Sequence, residues 1–223
     1  MKKIIIISAH PDDEILGAGG TLLKHKAAGH QLAWILITSI SEKGGFSKER
    51  RHTRKREIEK VTKRVGFSQV HQLNYPTMSL NSEIMNEMIP KISSIFLEFR
   101  PEVIYVMNRS DAHSDHRYTF EAVAACTKSF RYPFVKTVLM YECISETEFA
   151  PALPEKVFIP NYFVDITDFF KEKLQLMQVY ESELGEHPFP RSLKNIEALA
   201  IFRGASVGVD YAEAFQLIKL IDK

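Results

Sequence analysis

The sequence is poor in the features that mark disulfide-stabilised or membrane-embedded proteins. Only two of its 223 residues are cysteines, Cys126 and Cys143. Two are too few for a disulfide framework, and their apolar surroundings predict buried thiols. The first apolar run, residues 4–7, holds four isoleucines and is too short for a membrane span or the core of a signal peptide. We therefore expect a cytoplasmic protein without a membrane partner.

An excess of charge of one sign is also lacking. The chain has 29 Lys and Arg against 28 Asp and Glu, and its net charge is +1, which does not favour nucleic acid as a partner. The ten glycines and ten prolines are scattered, and there is no low-complexity stretch or internal repeat. These absences predict one domain over residues 1–223. The oligomeric state stays open, with a homo-oligomer among the alternatives.

Strand-like apolar runs alternate with helical patterns along the chain. The predicted strands are residues 3–8, 31–37, 70–73, 103–107, 137–141 and 163–166. The predicted helices are residues 17–28, 47–65, 82–99, 116–130, 168–182 and 193–204, with a short helical segment at 211–220. This alternation is typical of an α/β fold, Rossmann-like, with three α/β/α layers and a mainly parallel sheet. Binding sites in such sheets form at the carboxyl ends of the strands.

The loop after the first predicted strand carries His10 and three consecutive carboxylates, Asp12, Asp13 and Glu14. A dinucleotide-binding protein would have a glycine-rich turn here, so a nucleotide-dependent oxidoreductase is not favoured. Three carboxylates would repel a phosphate, and a metal ion is the more natural ligand. The glycines at 17, 19 and 20 come later, inside the predicted helix. They indicate close packing of that helix against the sheet rather than a phosphate loop.

The loop after the fourth predicted strand, residues 111–117, reads Asp-Ala-His-Ser-Asp-His-Arg. Histidine and carboxylate at such short spacings suit zinc, which accepts imidazole nitrogen and carboxylate oxygen as ligands. A catalytic zinc site keeps three protein ligands and one open position, and two loops at one end of a sheet can supply them together. The alternative is that these residues are solvated, with Asp13 or Asp115 capping a helix.

The two loops together resemble the PIG-L/LmbE-like zinc-dependent N-deacetylases. The resemblance rests first on Ala-His-Pro-Asp-Asp-Glu at 9–14 and on His-x-Asp-His at 113–116. Supporting matches are Gly-His at 29–30, Arg-x-x-Glu at 54–57, Arg-Gly at 203–204 and Tyr-Ala-Glu at 211–213. The matches span almost the whole chain. The resemblance implies an enzyme that removes acetyl from an N-acetylglucosaminyl-type conjugate.

The resemblance also implies a metal-ligand set. It assigns Zn²⁺ to His10, Asp13 and His116, with another divalent metal such as Fe²⁺ as an alternative.

Further roles follow from the same resemblance. Asp12 would be the general base, His113 would face the substrate carbonyl, and Asp115 would hold His113 in orientation. Arg54 matches an arginine that contacts substrate. Glu14 has no firm role, and we expect it to support its neighbours or to lie in the first turn of a helix.

Two departures from the family pattern leave the substrate open. Ser114 stands where proline is common, and the loop at 41–45 replaces the Arg-Gly-Glu stretch of many relatives. The substrate is therefore either a small N-acetylated sugar conjugate or another N-acyl amide. A binding protein that keeps the metal without catalysis is the remaining alternative, but it would have no need of Asp12 and His113.

Residues 48–64 form a strongly basic predicted helix with nine Lys or Arg and three Glu. No aromatic residues interleave these charges, which argues against nucleic-acid binding. A solvated helix face is the favoured interpretation, and a surface that attracts an anionic substrate is the alternative.

Overall fold

A computed structural model of the chain describes residues 1–222. A single seven-stranded sheet has the strand order β3-β2-β1-β4-β5-β7-β6, with six α-helices connecting the strands. The strands are β1 Lys3–Ser8, β2 Gln31–Ser39, β3 Gln69–Pro76, β4 Val103–Met107, β5 Thr137–Tyr141, β6 Tyr162–Asp165 and β7 Ala212–Leu220. The helices are α1 Asp13–Ala27, α2 Lys48–Val65, α3 Met85–Phe99, α4 Ser114–Ala125, α5 Phe170–Met177 and α6 Leu193–Ala205. The predicted mainly parallel α/β fold is confirmed.

The centre of the sheet is buried on both faces. β1 pairs in parallel with β2 and with β4, and its four isoleucines have no exposed surface. Continuous β-branched runs are typical of parallel strands that are covered by helices on both faces. Trp34 on β2 is fully buried and donates its indole hydrogen to Ser8 Oγ at 2.7 Å. This central packing fixes the point where the chain leaves β1 and enters the first of the two polar loops.

Helix α1 begins at Asp13, four residues earlier than predicted, so part of the acidic loop forms its first turn. The helix is interrupted at Ala18, whose φ of −145° is not helical. A Cβ on Gly17 would overlap the ring of Tyr141, and one on Gly20 would lie 2.8 Å from Ile166. The glycines therefore serve close packing of the helix, as the sequence indicated.

The segment at 211–220 is a strand and not the predicted helix. β7 lies between β5 and β6 and pairs antiparallel with both. Its residues are compatible with a helix. Pairing with strands on two sides buries Ala212, Ala214 and Phe215 and therefore favours the strand conformation. Other helices begin or end a few residues from the predicted positions: α3 begins at Met85 and α4 ends at Ala125. Within residues 1–222, no helix combines the length and apolar character needed to cross a bilayer.

Candidate metal centre and active-site cleft

The two polar loops meet at the carboxyl edge of the sheet, because β1 and β4 are neighbouring parallel strands. Ligand atoms of His10, Asp13 and His116 all lie within 4.8 Å of one another. His10 and Asp13 come from the end of β1 and the start of α1, and His116 comes from the first turn of α4. The structure therefore brings together the three residues that the sequence assigned to a metal.

His10 has its ring oriented by a carboxylate. Nε2 of His10 lies 3.2 Å from Oδ2 of Asp115. A carboxylate only accepts hydrogen bonds, so Nε2 carries the hydrogen and Nδ1 keeps its lone pair. Nδ1 faces Oδ2 of Asp13 at 3.8 Å. A histidine that binds a metal through one ring nitrogen usually donates a hydrogen bond to a carboxylate from the other ring nitrogen.

His116 repeats this arrangement on the other side of the site. Its Nδ1 lies 2.8 Å from Oδ2 of Asp111, which also accepts hydrogen bonds from Asn108 and Thr147 through Oδ1. Nε2 of His116 is buried, has no hydrogen-bond partner within residues 1–222 and lies 3.4 Å from Oδ2 of Asp13. A buried nitrogen without a partner is unfavourable unless a ligand satisfies it. The donor set fits a divalent cation.

The charges around His10, Asp13 and His116 also favour a bound cation. Burial disfavours the charged form of His116, but Asp13 and Asp111 outweigh burial and raise its pKa well above the usual value. Burial opposes ionisation of Asp13 as well, yet His116 and His10 lower the pKa of that carboxyl. Asp13 is held by the His10 amide on Oδ2 at 2.8 Å and by the Cys143 thiol on Oδ1 at 3.4 Å. Two imidazoles and one carboxylate are ligands that zinc accepts.

A second cluster, His10, His113 and Asp115, also has metal-ligand spacing, but Nδ1 of His113 and the Asp115 carboxylate already pair with protein groups. The Asp115 carboxylate contacts His10 and accepts hydrogen bonds from the amides of Met78 and Leu80 at 2.7 and 3.3 Å. Nδ1 of His113 already accepts a hydrogen bond from the Asp115 amide at 3.1 Å. Because these atoms already have partners, the group formed by His10, Asp13 and His116 is the better candidate for holding a metal.

The structure divides the contacts of Asp115 between its backbone and its side chain. Its carboxylate orients His10, and it is the backbone amide of Asp115 that orients His113. The side chain lies 3.9 Å from Nδ1 of His113 and makes no hydrogen bond to it. The reason is local, because His113 is the residue that precedes α4 and caps it by accepting the Asp115 amide. The carboxylate points away from that cap and toward β1.

His113 lines the cleft with its ring half-buried and its centroid 4.4 Å from that of His10. Burial and the neighbouring His10 lower the pKa of His113 to about 4. The ring is thus neutral at pH 7, and since Nδ1 accepts a hydrogen bond, Nε2 carries the hydrogen. His113 is therefore placed as a neutral hydrogen-bond donor in this geometry.

Asp12 lies in the cleft beside the metal position, with φ of 131°, a value that side-chain-bearing residues rarely adopt. Its amide donates to Oε2 of Glu14 at 3.1 Å, and Oε1 of Glu14 accepts from the Tyr180 hydroxyl at 2.7 Å. Burial and the Asp13 charge raise the pKa of Asp12, against the opposing charges of Arg191 and Arg54. Glu14 therefore supports the strained turn that presents the Asp12 carboxylate, a role that agrees with the expectation for it.

Arg54 borders the same cleft, but its nitrogens contact protein groups. It is only 7% exposed; Nη1 donates to the Pro11 carbonyl at 2.8 Å, Nε lies 3.2 Å from Glu57, and Nη2 bonds to Glu183. The side chain fixes the loop that carries Asp12. Because Nη1 and Nη2 are engaged with protein groups, the structure gives Arg54 a supporting position, and its predicted contact with substrate stays a prediction.

The cleft also contains residues that sequence reasoning missed. It has a volume of about 280 Å³, and the missed side chains on its lining are Cys143 against Asp13, Glu183 and Arg191. Asp111, which is fully buried behind His116 and does not line the cleft, was missed as well. Asp111 could have been found, since it lies in the same polar loop as His116. Glu183 and Arg191 had no local signal, because they come from the segment between α5 and α6 and reach the site only through the fold.

Comparison with known proteins agrees with this geometry. The family model described as "PIG-L: GlcNAc-PI de-N-acetylase" matches residues 5–127, more than half of the 223 residues. The diacetylchitobiose deacetylase of Thermococcus kodakarensis is 26% identical over 230 residues, covering 98% of this chain and 84% of that protein. The matched segment of the family model includes both polar loops.

Solved structures share the fold. The N,N'-diacetylchitobiose deacetylase from Pyrococcus horikoshii has a TM-score of 0.74 at 23% identity, covering 98% of this chain and 84% of that chain. A hydratase, the 4-carboxy-2-hydroxymuconate hydratase GalB from Pseudomonas putida KT2440, has a TM-score of 0.76 at 18% identity, covering 100% and 98%. The fold alone thus does not decide the reaction. With its family match across both loops, the chain belongs to the PIG-L: GlcNAc-PI de-N-acetylase family.

Proposed function

We propose that the protein is a metal-dependent hydrolase that removes the acetyl group from an N-acetylated amino sugar and releases acetate and a free amine. The observation that carries the proposal is the buried Nε2 of His116, which has no partner among residues 1–222 and faces Asp13 on the wall of a cleft that also holds Asp12 and His113. The similarity to diacetylchitobiose deacetylase supports an N-acetylated sugar as the small-molecule substrate.

We propose Zn²⁺ as the metal, held by His10, Asp13 and His116. Imidazole and carboxylate ligands suit zinc, and Fe²⁺ is the alternative that the same ligands accept. When bound, the metal polarises the amide carbonyl and lowers the pKa of water from about 15.7 toward roughly 7. The other chemical steps fall to side chains that surround the metal position.

Asp12 is the proposed general base. Its carboxylate is buried in the cleft and makes no side-chain hydrogen bond within residues 1–222, so both oxygens are available to a water molecule. Ionised Asp12 takes a proton from the attacking water, a step that contributes on the order of 10²–10⁴-fold to rate. Burial and the Asp13 charge raise the pKa of this carboxyl, and Arg191 and Arg54 oppose that rise only in part. A cation held beside Asp12 would favour the ionised form that a general base needs.

His113 is the proposed donor to the carbonyl oxygen. The Asp115 amide occupies Nδ1, so the Nε2 hydrogen of the neutral ring is the one available to substrate. A donor that faces the oxygen where negative charge develops stabilises the transition state. A neutral His113 that must keep this hydrogen bond is a poor source of a proton. The leaving amine therefore receives its proton from Asp12, which took one from water.

A screen of the zinc-loaded protein against N-acetylated amino sugars and their conjugates tests the proposal, with acetate and free amine as the two readouts. Longer N-acyl sugars and non-sugar N-acetyl amides belong in the panel, because the loop at 41–45 leaves the substrate open. Equal amounts of acetate and amine from an N-acetyl sugar are expected. His116→Ala is the metal-deficient control and should release neither.

The same screen separates deacetylation from its alternatives. A protein that binds zinc stoichiometrically and releases no acetate from any member of the panel would contradict the proposal and favour a metal-binding relative without this catalysis. The likeness to a hydratase makes addition of water to a carbon–carbon double bond the second reaction to assay if that result is obtained.

A further inference from the structure

One wall of the cleft is built from arginines. Arg50 and Arg54 come from α2, and Arg191 comes from the segment before α6. All three contact one carboxylate: Nη2 of Arg50 lies 2.9 Å from Glu183, Arg54 bonds to the same carboxylate, and Nη2 of Arg191 lies 3.5 Å from it. Glu57 also pairs with Arg54, and Nε of Arg191 lies 3.9 Å from Oδ2 of Asp12, so what each guanidinium can offer a ligand depends on the hydrogen bonds that it has already made.

The three arginines differ in how many of their guanidinium hydrogen-bond donors remain free for a ligand. The side chain of Arg54 is 8% exposed and its nitrogens contact protein groups, whereas those of Arg50 and Arg191 are 34% and 22% exposed and line the cleft. Nε and Nη1 of Arg50 make no hydrogen bond within residues 1–222. Arg50 and Arg191, which are partly exposed, therefore have donors left for a ligand.

Arg191 is held rigidly while it keeps these donors. Its Nε donates to the Glu183 carbonyl at 2.9 Å, and Nη1 donates to Ser145 Oγ at 2.6 Å. Two separate segments thus fix the plane of the guanidinium, and of its five hydrogens these contacts and the longer one to Glu183 use three. A planar, fixed guanidinium matches the oxygens of a carboxylate or phosphate better than a mobile one.

The position of Arg191 indicates which part of a substrate it meets. Nε of Arg191 lies 3.9 Å from Oδ2 of Asp12, the group assigned above to the proton of the leaving amine. A substituent close to that amine is on the sugar and not on the acetyl group. Acidic Glu146 lines the cleft too, next in sequence to Ser145, which accepts a hydrogen bond from Arg191. Among the residues that line the cleft, guanidinium groups are found at Arg50, Arg54 and Arg191, so an anionic group of the substrate is best matched at this wall.

We propose that Arg191 and Arg50 form a subsite for an anionic oxygen group, a carboxylate or a phosphate, carried by the amino sugar that the cleft accepts. This inference rests on the proposed function for the identity of the sugar. An anionic substrate was only the alternative interpretation of the basic helix, and the proposal places it at two residues of the cleft rather than on the exposed face of α2.

Binding of deacetylated ligands tests the subsite without turnover. The three probes are methyl β-glucosaminide, carboxymethyl β-glucosaminide and glucosamine 1-phosphate, titrated calorimetrically into the zinc-loaded protein at low ionic strength. At least one anionic probe should bind about 10-fold or more tightly than the neutral one, as expected for charge-assisted hydrogen bonds. Comparison of the two anionic probes distinguishes a carboxylate from a phosphate.

Arg191→Met and Arg50→Met should each reduce the preference for the anionic probe toward 1. Arg51→Met is the matched control, because Arg51 lies next to Arg50 on α2, is equally exposed and pairs with Glu42 at 3.1 Å outside the cleft. Arg51→Met should keep the preference. A preference that persists in both Arg191→Met and Arg50→Met would place the anion on the metal instead and overturn the subsite, as would equal affinity for all three probes.

These outcomes are independent of whether the protein is a deacetylase. Loss of the anionic preference in the two arginine variants supports the subsite even if no member of the substrate panel releases acetate, which would contradict only the proposed function. Acetate release from neutral and anionic N-acetyl sugars with equal kcat/KM, together with equal binding of the three probes, would support the proposed function and overturn the subsite.

Discussion

The carboxylate of Asp115 lies 3.2 Å from Nε2 of His10 and makes no hydrogen bond to His113, the residue two positions before it. This contact fixes which nitrogen of His10 faces Asp13, and the matching contact from Asp111 does the same for His116. The proposed metal position is therefore supported by one buried carboxylate behind each histidine. Asp111 lies in the loop after β4, and Asp115 lies in the first turn of α4.

Asp115→Asn should weaken metal binding about 10–100-fold, the usual effect of removing a group that orients a metal ligand. The asparagine keeps the shape but can offer His10 a hydrogen-bond donor where an acceptor is needed. The dissociation constant for zinc, measured by competition with a chelator, checks this. His113→Ala is the matched control and should lower turnover at saturating zinc without changing zinc affinity. An Asp115→Asn protein with normal zinc affinity and reduced turnover would instead mean that Asp115 acts through His113.

Asp12→Asn should keep one zinc per chain and lose about 10²–10⁴-fold in turnover, as for a missing general base. Asparagine suits this position because it tolerates positive φ better than most residues, so the strained turn at Asp12 is retained. Zinc content and rate should be measured on the same preparation. A zinc-replete variant with a near-normal rate would remove Asp12 from the proposed mechanism.

The two polar loops could be predicted from sequence because each is a short motif directly after a buried strand. Parallel pairing of β1 and β4 then brings the motifs together. The direction of the Asp115 carboxylate could not be predicted, since it depends on the His113 cap and on the amides of residues 78 and 80. The position of Arg191 in the cleft could not be predicted either, because it is set by contacts with Glu183 and Ser145, which lie in separate segments.

The error at residues 211–220 has a different origin. The segment has no strict polar–apolar alternation, and its Ala, Glu, Gln, Leu and Lys are good helix formers. Its strand conformation comes from pairing with β5 and β6, which are distant in sequence. The Tyr-Ala-Glu match to the family at 211–213 carries no predicted role. In the structure, Glu213 accepts hydrogen bonds from backbone amides next to the interruption of α1.

Lys173 and Glu213 form a buried ion pair at 2.7 Å that replaces hydrogen bonds missing where α1 is interrupted. Lys173 donates to the Leu16 carbonyl at 2.9 Å, and Glu213 accepts from the amides of Gly20 and Thr21 at 2.8 and 2.7 Å. Glu213→Gln or Lys173→Met should each lower the free energy of unfolding by about 3–5 kcal/mol, because the remaining charge is buried without its partner.

Urea unfolding of the two single variants and of the double variant checks this ion pair. The double variant should be less destabilised than the sum of the singles, since it leaves no unpaired charge. Glu87→Gln, which breaks the exposed Glu87–Lys91 pair on α3, is the control and should have a far smaller effect. Additive single effects would mean that Lys173 and Glu213 stabilise α1 independently.

His25, near the end of α1, should make stability depend on pH. Its Nδ1 lies 2.9 Å from Nδ1 of His30, and its Nε2 lies 2.9 Å from the Tyr105 hydroxyl. Burial, followed by the charges of His30, Lys2 and Lys24, lowers the pKa of His25 from 6.5 to about 4. In the unfolded chain the ring returns to its ordinary pKa of 6.5.

Between pH 4 and pH 6.5 the unfolded state therefore binds more protons at His25 than the folded state does. The contribution of His25 to the free energy of unfolding is therefore fully present above pH 6.5. As the pH drops toward 4, this contribution is lost, by roughly 3 kcal/mol in total. His25→Gln should flatten the rise of the free energy of unfolding across this window, whereas the same substitution at His52, which is exposed on α2, should leave the rise unchanged. Urea unfolding at half-unit pH steps measures both. Parallel curves for the wild type and His25→Gln would mean that His25 does not resist protonation in the folded protein, and that the close contact with His30 holds a proton at pH values well above 4.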